Sequence, residues 1–169
     1  MDYQMLINGQ SVDGVSTFDV INPATKSVIT KAPQASIEQL DAAVAAARTA
    51  FPVWAALSYD ARRAKILALA DAIEANSSEL METLTTEQGK PLKGFLDMGA
   101  GFELGGTLAW IRGTAEYELT PQVIQEDKNL RIEMHRKPLG VVGSITPWNY
   151  PLMITIWHII PALLTGNTV

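Results

Sequence analysis

The stretch "ITPWNYP", Ile145 to Pro151, sets Asn149 between two prolines in the most apolar part of the chain. A proline disfavours helical geometry in the residue before it, so Thr146 and Tyr150 are driven to extended backbone and the turn is rigid. Pro151 suits the first position of a helix, where a missing N–H costs nothing. Tyr150 is then the N-cap, and Asn149 lies just ahead of the helix. The mouth of a helix carries partial positive charge from its unpaired N–H groups. Asn149 adds a side-chain N–H₂ donor, and donors that converge in this way can hold an oxygen that gains negative charge during a reaction. The plainer expectation is that Asn149 only ties the turn together, as turn asparagines commonly do. Trp148 likewise reads either as an aromatic wall for a planar ligand or as a core residue.

Other chemistries find little support. The chain has no cysteine, hence no disulfide framework, zinc-thiolate site or thiol nucleophile within it. His135 and His158 read as lone histidines without a carboxylate or histidine at ligand spacing, so no metal is assigned and His158 is taken as a core or turn partner. Neither Glu87 nor any other local carboxylate is assigned as a general base. The net charge is -5, and basic residues are scattered except for "HRK" at His135 to Lys137, which argues against a nucleic-acid partner.

From Pro138 to Val169 no residue carries a full charge, yet Pro147, Pro151 and Pro161 divide the run. Its longest helix-compatible piece has the length of a buried core helix, so no membrane span is expected. "MDYQMLINGQ" has neither a basic start nor an apolar signal core, which makes the cytoplasm the expected compartment.

The elements that must position Asn149 follow from periodicity. Asn8-Gly9 between apolar runs predicts a hairpin with a two-residue turn, and a second turn is expected around Asn22-Pro23. Ser36 with Gln39 forms a capping box ahead of Ile37, Leu40, Val44, Ala47 and Phe51, a helix expected to stop at Pro52. A second helix begins near Ser58 with Ile66, Leu69, Ala70 and Ile73 on one face. A third runs from Asn76, with Glu79 at the box position, to Gly89 and Pro91.

Leu92 to Glu118 has helical apolar spacing but holds glycines 94, 99, 101, 105, 106 and 113, which suggests that its backbone packs closely on another element. "GAGFEL" within it is not a nucleotide loop, because Leu104 replaces the third glycine and no strand precedes it. Gln122 to Lys137 reads as a hairpin with Leu130, Ile132 and Met134 on an apolar face, alternating with Arg131, Glu133 and His135. "LGVVGSI", "TPWNY", "PLMITIWHIIPALLTG" and "NTV" then read as strand, turn, helix and the start of a strand, the first βα unit of a parallel sheet. A chain of 169 residues that stops there is expected to be part of a longer protein.

"PLGVVGSITPWNYPL" followed by "PALLTGNTV" closely resembles the segment of NAD(P)-dependent aldehyde dehydrogenases in which a proline-flanked Trp-Asn turn ends the first Rossmann strand. "FDVINPATKSVI", "LTTEQGKPL" and "RIEMHRKPLG" are also similar to that superfamily's N-terminal region, so the resemblance covers nearly the whole chain. It implies an α/β fold, the N-terminal part of a Rossmann-type cofactor-binding domain with leading helices and an oligomerisation hairpin. Residues 1–118 would be strands and helices of that domain, 119–138 the hairpin, and 139–169 the first βα unit.

On matching positions, Asn149 corresponds to the family's oxyanion-stabilising asparagine. Ile145, Thr146, Pro147 and Trp148 correspond to the stretch that flanks the nicotinamide and ribose of NAD or NADP. Tyr150, Met153, Ile154 and Trp157 correspond to positions lining the aldehyde tunnel, although apolar residues at this spacing also suit a core. The family reaction oxidises an aldehyde to a carboxylic acid through a cysteine nucleophile and a glutamate-activated water. By the same resemblance that cysteine, that glutamate and a ribose-contacting lysine lie beyond Val169, and the 169 residues alone would be inactive. "TEQGKPL" points toward the semialdehyde dehydrogenase branch, and residues 122–137 toward homodimers or homotetramers. A non-catalytic assembly module is the alternative reading.

Overall fold

Two antiparallel hairpins open the chain in a computed structural model that describes residues 3–169. Met1 and Asp2, where the N-terminal reading begins, lie outside the described residues. β1 (Met5–Ile7) pairs with β2 (Gln10–Val12), Met5 opposite Val12 and Ile7 opposite Gln10. Asn8 and Gly9 between them both have positive φ, 53° and 73°, as a twist-matched two-residue hairpin turn requires. β3 (Ser16–Ile21) pairs with β4 (Val28–Gln34). Their connection is closed by Asn22, whose Oδ1 accepts from the N–H groups of Ala24 (2.9 Å) and Thr25 (3.3 Å).

α1 (Ile37–Ala55) starts on the expected box: Ser36 Oγ accepts from Gln39 N (3.2 Å) and Gln39 Oε1 accepts from Ser36 N (3.0 Å). It runs through Pro52 rather than stopping there. A proline so near the end removes a single ladder donor, while its own carbonyl still accepts from Ala56 N (3.1 Å). Trp54 Nε1 also ties this last turn to Leu163 O at 2.9 Å. The face read as buried is open, with Ile37, Leu40 and Val44 all exposed.

α2 (Tyr59–Ala75) is capped by Ser58 as expected and buries Ile66, Ala70 and Ile73, whereas Leu69 turns to the surface. The box foreseen at Asn76 and Glu79 does not form. Asn76 instead has φ −104° and ψ 19°, and its Nδ2 donates back to Ala72 O (2.8 Å), so it closes α2 and leaves α3 (Ser77–Gln88) without a side-chain cap. Gly89 ends α3 in the left-handed region at φ 82°, its N–H donating to Thr85 O.

The next helix, α4 (Ala100–Ala115), is shorter than its glycine-rich spacing suggested. Residues 92–99 form a loop with one 3₁₀ turn at Phe95–Asp97, where Leu96 has φ 56°. The loop doubles back so closely that a Cβ on Gly99 would lie 2.2 Å from Pro91 O. Close packing also accounts for Gly106, where a Cβ would lie 2.7 Å from Met153 Sδ, but not for Gly105 or Gly113, which have open space.

β5 (Gln122–Glu126) and β6 (Arg131–Met134) make the third hairpin, with a register shift between Val123 and Gln125. Asp127 Oδ1 accepts from Asn129 N and Leu130 N across the turn. On β6 the alternation holds: Arg131 pairs with Glu126 and Glu133, and Glu133 also meets His135 at 3.0 Å, so His135 is not the lone histidine foreseen. Arg131 and His135 hold the Glu133 carboxyl below its ordinary value. Val123, Ile124, Leu130 and Ile132 are exposed.

The expected strand over residues 139–145 is reduced to one parallel bridge, Val141 with Thr168. Val142 N donates to Thr168 O and Thr168 N to Gly140 O, which is the parallel direction the strand-helix-strand reading required. The rest of that segment has no backbone partner among the described residues and stays irregular. Between the two bridged residues lies α5 (Pro151–Leu164). Its Ile156, Ile160 and Leu164 pack with Ile66, Ala70 and Ile73 of α2 and Leu104, Ile111 and Ala115 of α4 to form the core. The turn that carries Asn149 is therefore mounted on a helix fixed on two sides.

Candidate functional site

Tyr150 is the N-cap of α5 and Pro151 its first residue, as expected, but Tyr150 lies at φ −136° and ψ 65°, short of the extended backbone expected ahead of a proline. With no donor on Pro151, the first free amides of the helix are those of Leu152 and Met153. Both donate to one oxygen, Glu103 Oε1, at 2.9 and 3.2 Å. Ile154 N already bonds Tyr150 O at 2.9 Å. The helix mouth is thus closed by a carboxylate of α4, and the expected convergence of helix N–H groups with Asn149 does not occur. A carboxylate at the positive end of a helix satisfies both the orphan donors and the macrodipole.

Glu103 has no exposed surface. Its second oxygen pairs with the Lys90 ammonium, which is itself nearly covered, and a buried charge is tolerable only when paired in this way. Lys90 makes two further contacts: Nζ donates to Asn149 O at 3.0 Å and lies 3.8 Å from the centre of the Tyr150 ring. Two residues earlier, the Gln88 amide donates to Trp148 O. The left-handed turn at Gly89 lets Gln88 and Lys90 both reach the Trp148-Asn149-Tyr150 backbone.

The Asn149 carboxamide has no hydrogen-bond partner among the described residues and is exposed. It borders a depression of about 660 Å³ between α4 and α5. Tyr150, Met153, Ile154 and Trp157 line the same depression, facing Phe102 and Trp110 of α4. Tyr150 meets Phe102 edge-on with centroids 6.5 Å apart, and Trp157 meets Trp110 at 5.3 Å. Met153 is buried and sits over Gly106, so it serves the core as well as the wall.

Ile145, Thr146, Pro147 and Trp148 form an exposed strip leading to the turn. Ile145 is 96% and Trp148 82% exposed, so Trp148 is not part of the core. Thr146 borders a separate groove of about 540 Å³ with Val142, Ser144 and Arg48 of α1. His158 is exposed and shares a 2.9 Å hydrogen bond with Ser144 Oγ, a turn partner rather than a core residue. Partial burial holds the Glu87 carboxyl above its ordinary value, but it borders a cavity of about 380 Å³ against β3 and β4 and not the depression at Asn149.

Gln88, Lys90 and Glu103 escaped the sequence reading. Glu103 did leave a signal: it is the sole acidic residue between Asp97 and Glu116, and at helical spacing it shares a face with Thr107 and the buried Ile111.

Residues 10–169 match the sequence profile described as "Aldehyde dehydrogenase family". A phenylacetaldehyde dehydrogenase of Pseudomonas fluorescens is 37% identical, over 100% of this chain and 35% of its own length. Among solved structures, PnpE of Pseudomonas sp. WBC-3 in complex with nicotinamide adenine dinucleotide superposes with a TM-score of 0.89 at 39% identity, over 99% of this chain and 34% of that one. An NADP-dependent enzyme of E. coli superposes with a TM-score of 0.91 at 30% identity, over 99% and 35%. The chain spans about a third of the length of the relatives it matches. With the profile matched over nearly all its residues, the chain belongs to the aldehyde dehydrogenase family.

Proposed function

We propose that the chain serves the NAD(P)+-dependent oxidation of an aldehyde to a carboxylic acid, with Asn149 donating a hydrogen bond to the substrate oxygen as it gains negative charge. The observation that carries this reading is the free Asn149 carboxamide on the rim of an aromatic-lined depression, at a turn whose backbone is held by other side chains. A donor prepositioned in this way incurs little reorganisation when charge develops, and its loss typically costs about 3 to 4 kcal/mol. Tyr150, Met153, Ile154 and Trp157 would guide an apolar aldehyde past it.

Ile145, Thr146, Pro147 and Trp148 would hold the nicotinamide end of the nucleotide. The exposed Trp148 indole and Ile145 side chain offer a flat apolar surface, and the Thr146 hydroxyl offers a polar group beside it. When bound, such a nucleotide supplies a hydride acceptor. The NAD bound to PnpE and the NADP dependence of the E. coli relative support either form. Among the described residues no helix is long and apolar enough to cross a membrane. The reading puts the protein in the cytoplasm, with small aldehydes and copies of itself as partners.

A second reading, a non-catalytic assembly module, is favoured by the open apolar face of the β5–β6 hairpin. The intact gene product, offered a panel of aldehydes with NAD+ or NADP+, separates the two. Formation of reduced nicotinamide is expected with at least one pair, and none with any pair overturns the enzyme reading.

A further inference from the structure

We propose that Gln88, Lys90 and Glu103 are positioning residues for Asn149, a support that fixes the angle of its carboxamide by holding the turn from behind. This inference rests on the reading that Asn149 donates to the reacting oxygen. Each residue of the Trp148-Asn149-Tyr150 turn has its own anchor: Gln88 at Trp148 O, Lys90 at Asn149 O, and the Lys90 ammonium over the Tyr150 ring. Glu103 joins the turn to the helix behind it, because one oxygen pairs with Lys90 and the other accepts from Leu152 N and Met153 N. The carboxylate has no exposed surface, so Lys90 cannot leave without stranding a buried charge. These anchors take up the backbone carbonyls at Trp148 and Asn149 and the free amides of the helix mouth. The Asn149 carboxamide is what remains to meet a ligand.

Positioning by a shell of this kind acts on reactivity more than on affinity, since a displacement of about 1 Å can cost about a hundredfold in rate. The test uses the intact gene product and the paired variant Lys90→Met with Glu103→Gln. That pair strands no charge and keeps a carbonyl for Leu152 N and Met153 N. It is expected to unfold at a lowered midpoint, since the carboxamide N–H₂ at position 103 loses a buried partner, to bind NAD+ with unchanged Kd while folded, and to lose about ten- to a hundredfold in kcat at unchanged KM. Amide exchange across Asn149 to Ile154 is expected to quicken, and Lys90→Arg, which restores a cation, to recover most of the kcat.

Wild-type kcat in the paired variant, or unchanged exchange in the turn, overturns the proposal. Should the pair fail to fold, Gln88→Ala removes only the donor to Trp148 O and is judged by the same two readouts. If the wild-type protein oxidises no aldehyde, the functional reading has failed. Exchange alone then decides whether the three residues hold the turn.

Discussion

A turn asparagine ordinarily spends its carboxamide on nearby backbone, as Asn22 does here with Ala24 and Thr25. At Asn149 the backbone is held from outside instead, and the carboxamide stays free. The two asparagines differ in what their side chains bond: Asn22 is spent on its own turn, whereas the Asn149 carboxamide has no partner among the described residues. Glu87 shows how the same reasoning applies to a carboxylate. Partial burial raises its pKa in the folded chain, so the folded state binds a proton more readily than the unfolded one. Stability therefore rises as pH falls through the raised pKa, and the burial penalty is complete above it. Glu87→Gln is expected to raise the thermal midpoint at pH 7, with the difference shrinking as pH falls toward about 4. A pH-independent difference would mean that the substitution acts through packing.

Among the elements, the contact between α4 and α5 can be probed through two adjacent glycines. A Cβ on Gly105 meets nothing within 4 Å, so Gly105→Ala is expected to stabilise by about 0.5–1 kcal/mol through backbone entropy. A Cβ on Gly106 would press on the buried Met153, so Gly106→Ala is expected to destabilise by about 1 kcal/mol, the overpacking cost less the gain in helix propensity. Urea unfolding of both variants reads the opposite signs. Local signals made much of this layer legible: the Ser36 box, the Ser58 cap, the Gly89 stop and the Asn8-Gly9 turn depend on residues a few positions apart. What the sequence hid depends on distant partners. Pro52 stays in its helix with Trp54 bonded to Leu163 close by, and the segment over residues 139–145 pairs only where Thr168 reaches it. The candidate site divides in the same way. Asn149 and its prolines are readable side by side, whereas Glu103 lies 49 residues before the Leu152 amide it accepts from.

For the whole molecule, the three-helix core of α2, α4 and α5 leaves several apolar surfaces without cover from the described residues, among them one face of α1 and one of the β5–β6 hairpin. A two-stranded hairpin is marginal alone in water, so its exposed Leu130, Ile132 and Met134, with Ile124 at the register shift, favour burial against another surface. If that surface is a second copy, Ile124→Ser with Ile132→Ser in the intact gene product lowers the mass measured by light scattering to that of the monomer. An unchanged mass would assign the hairpin to contacts within one subunit. In the proposed reading, the supporting helices, the anchored turn and the aromatic depression together serve the Asn149 carboxamide. Its role is tested most directly by comparing kcat and NAD+ affinity between the wild-type intact protein and Asn149→Ala. A fall of about 10²–10³-fold in kcat with unchanged NAD+ affinity is predicted, whereas an unaltered kcat, or a loss confined to cofactor binding, would contradict the account.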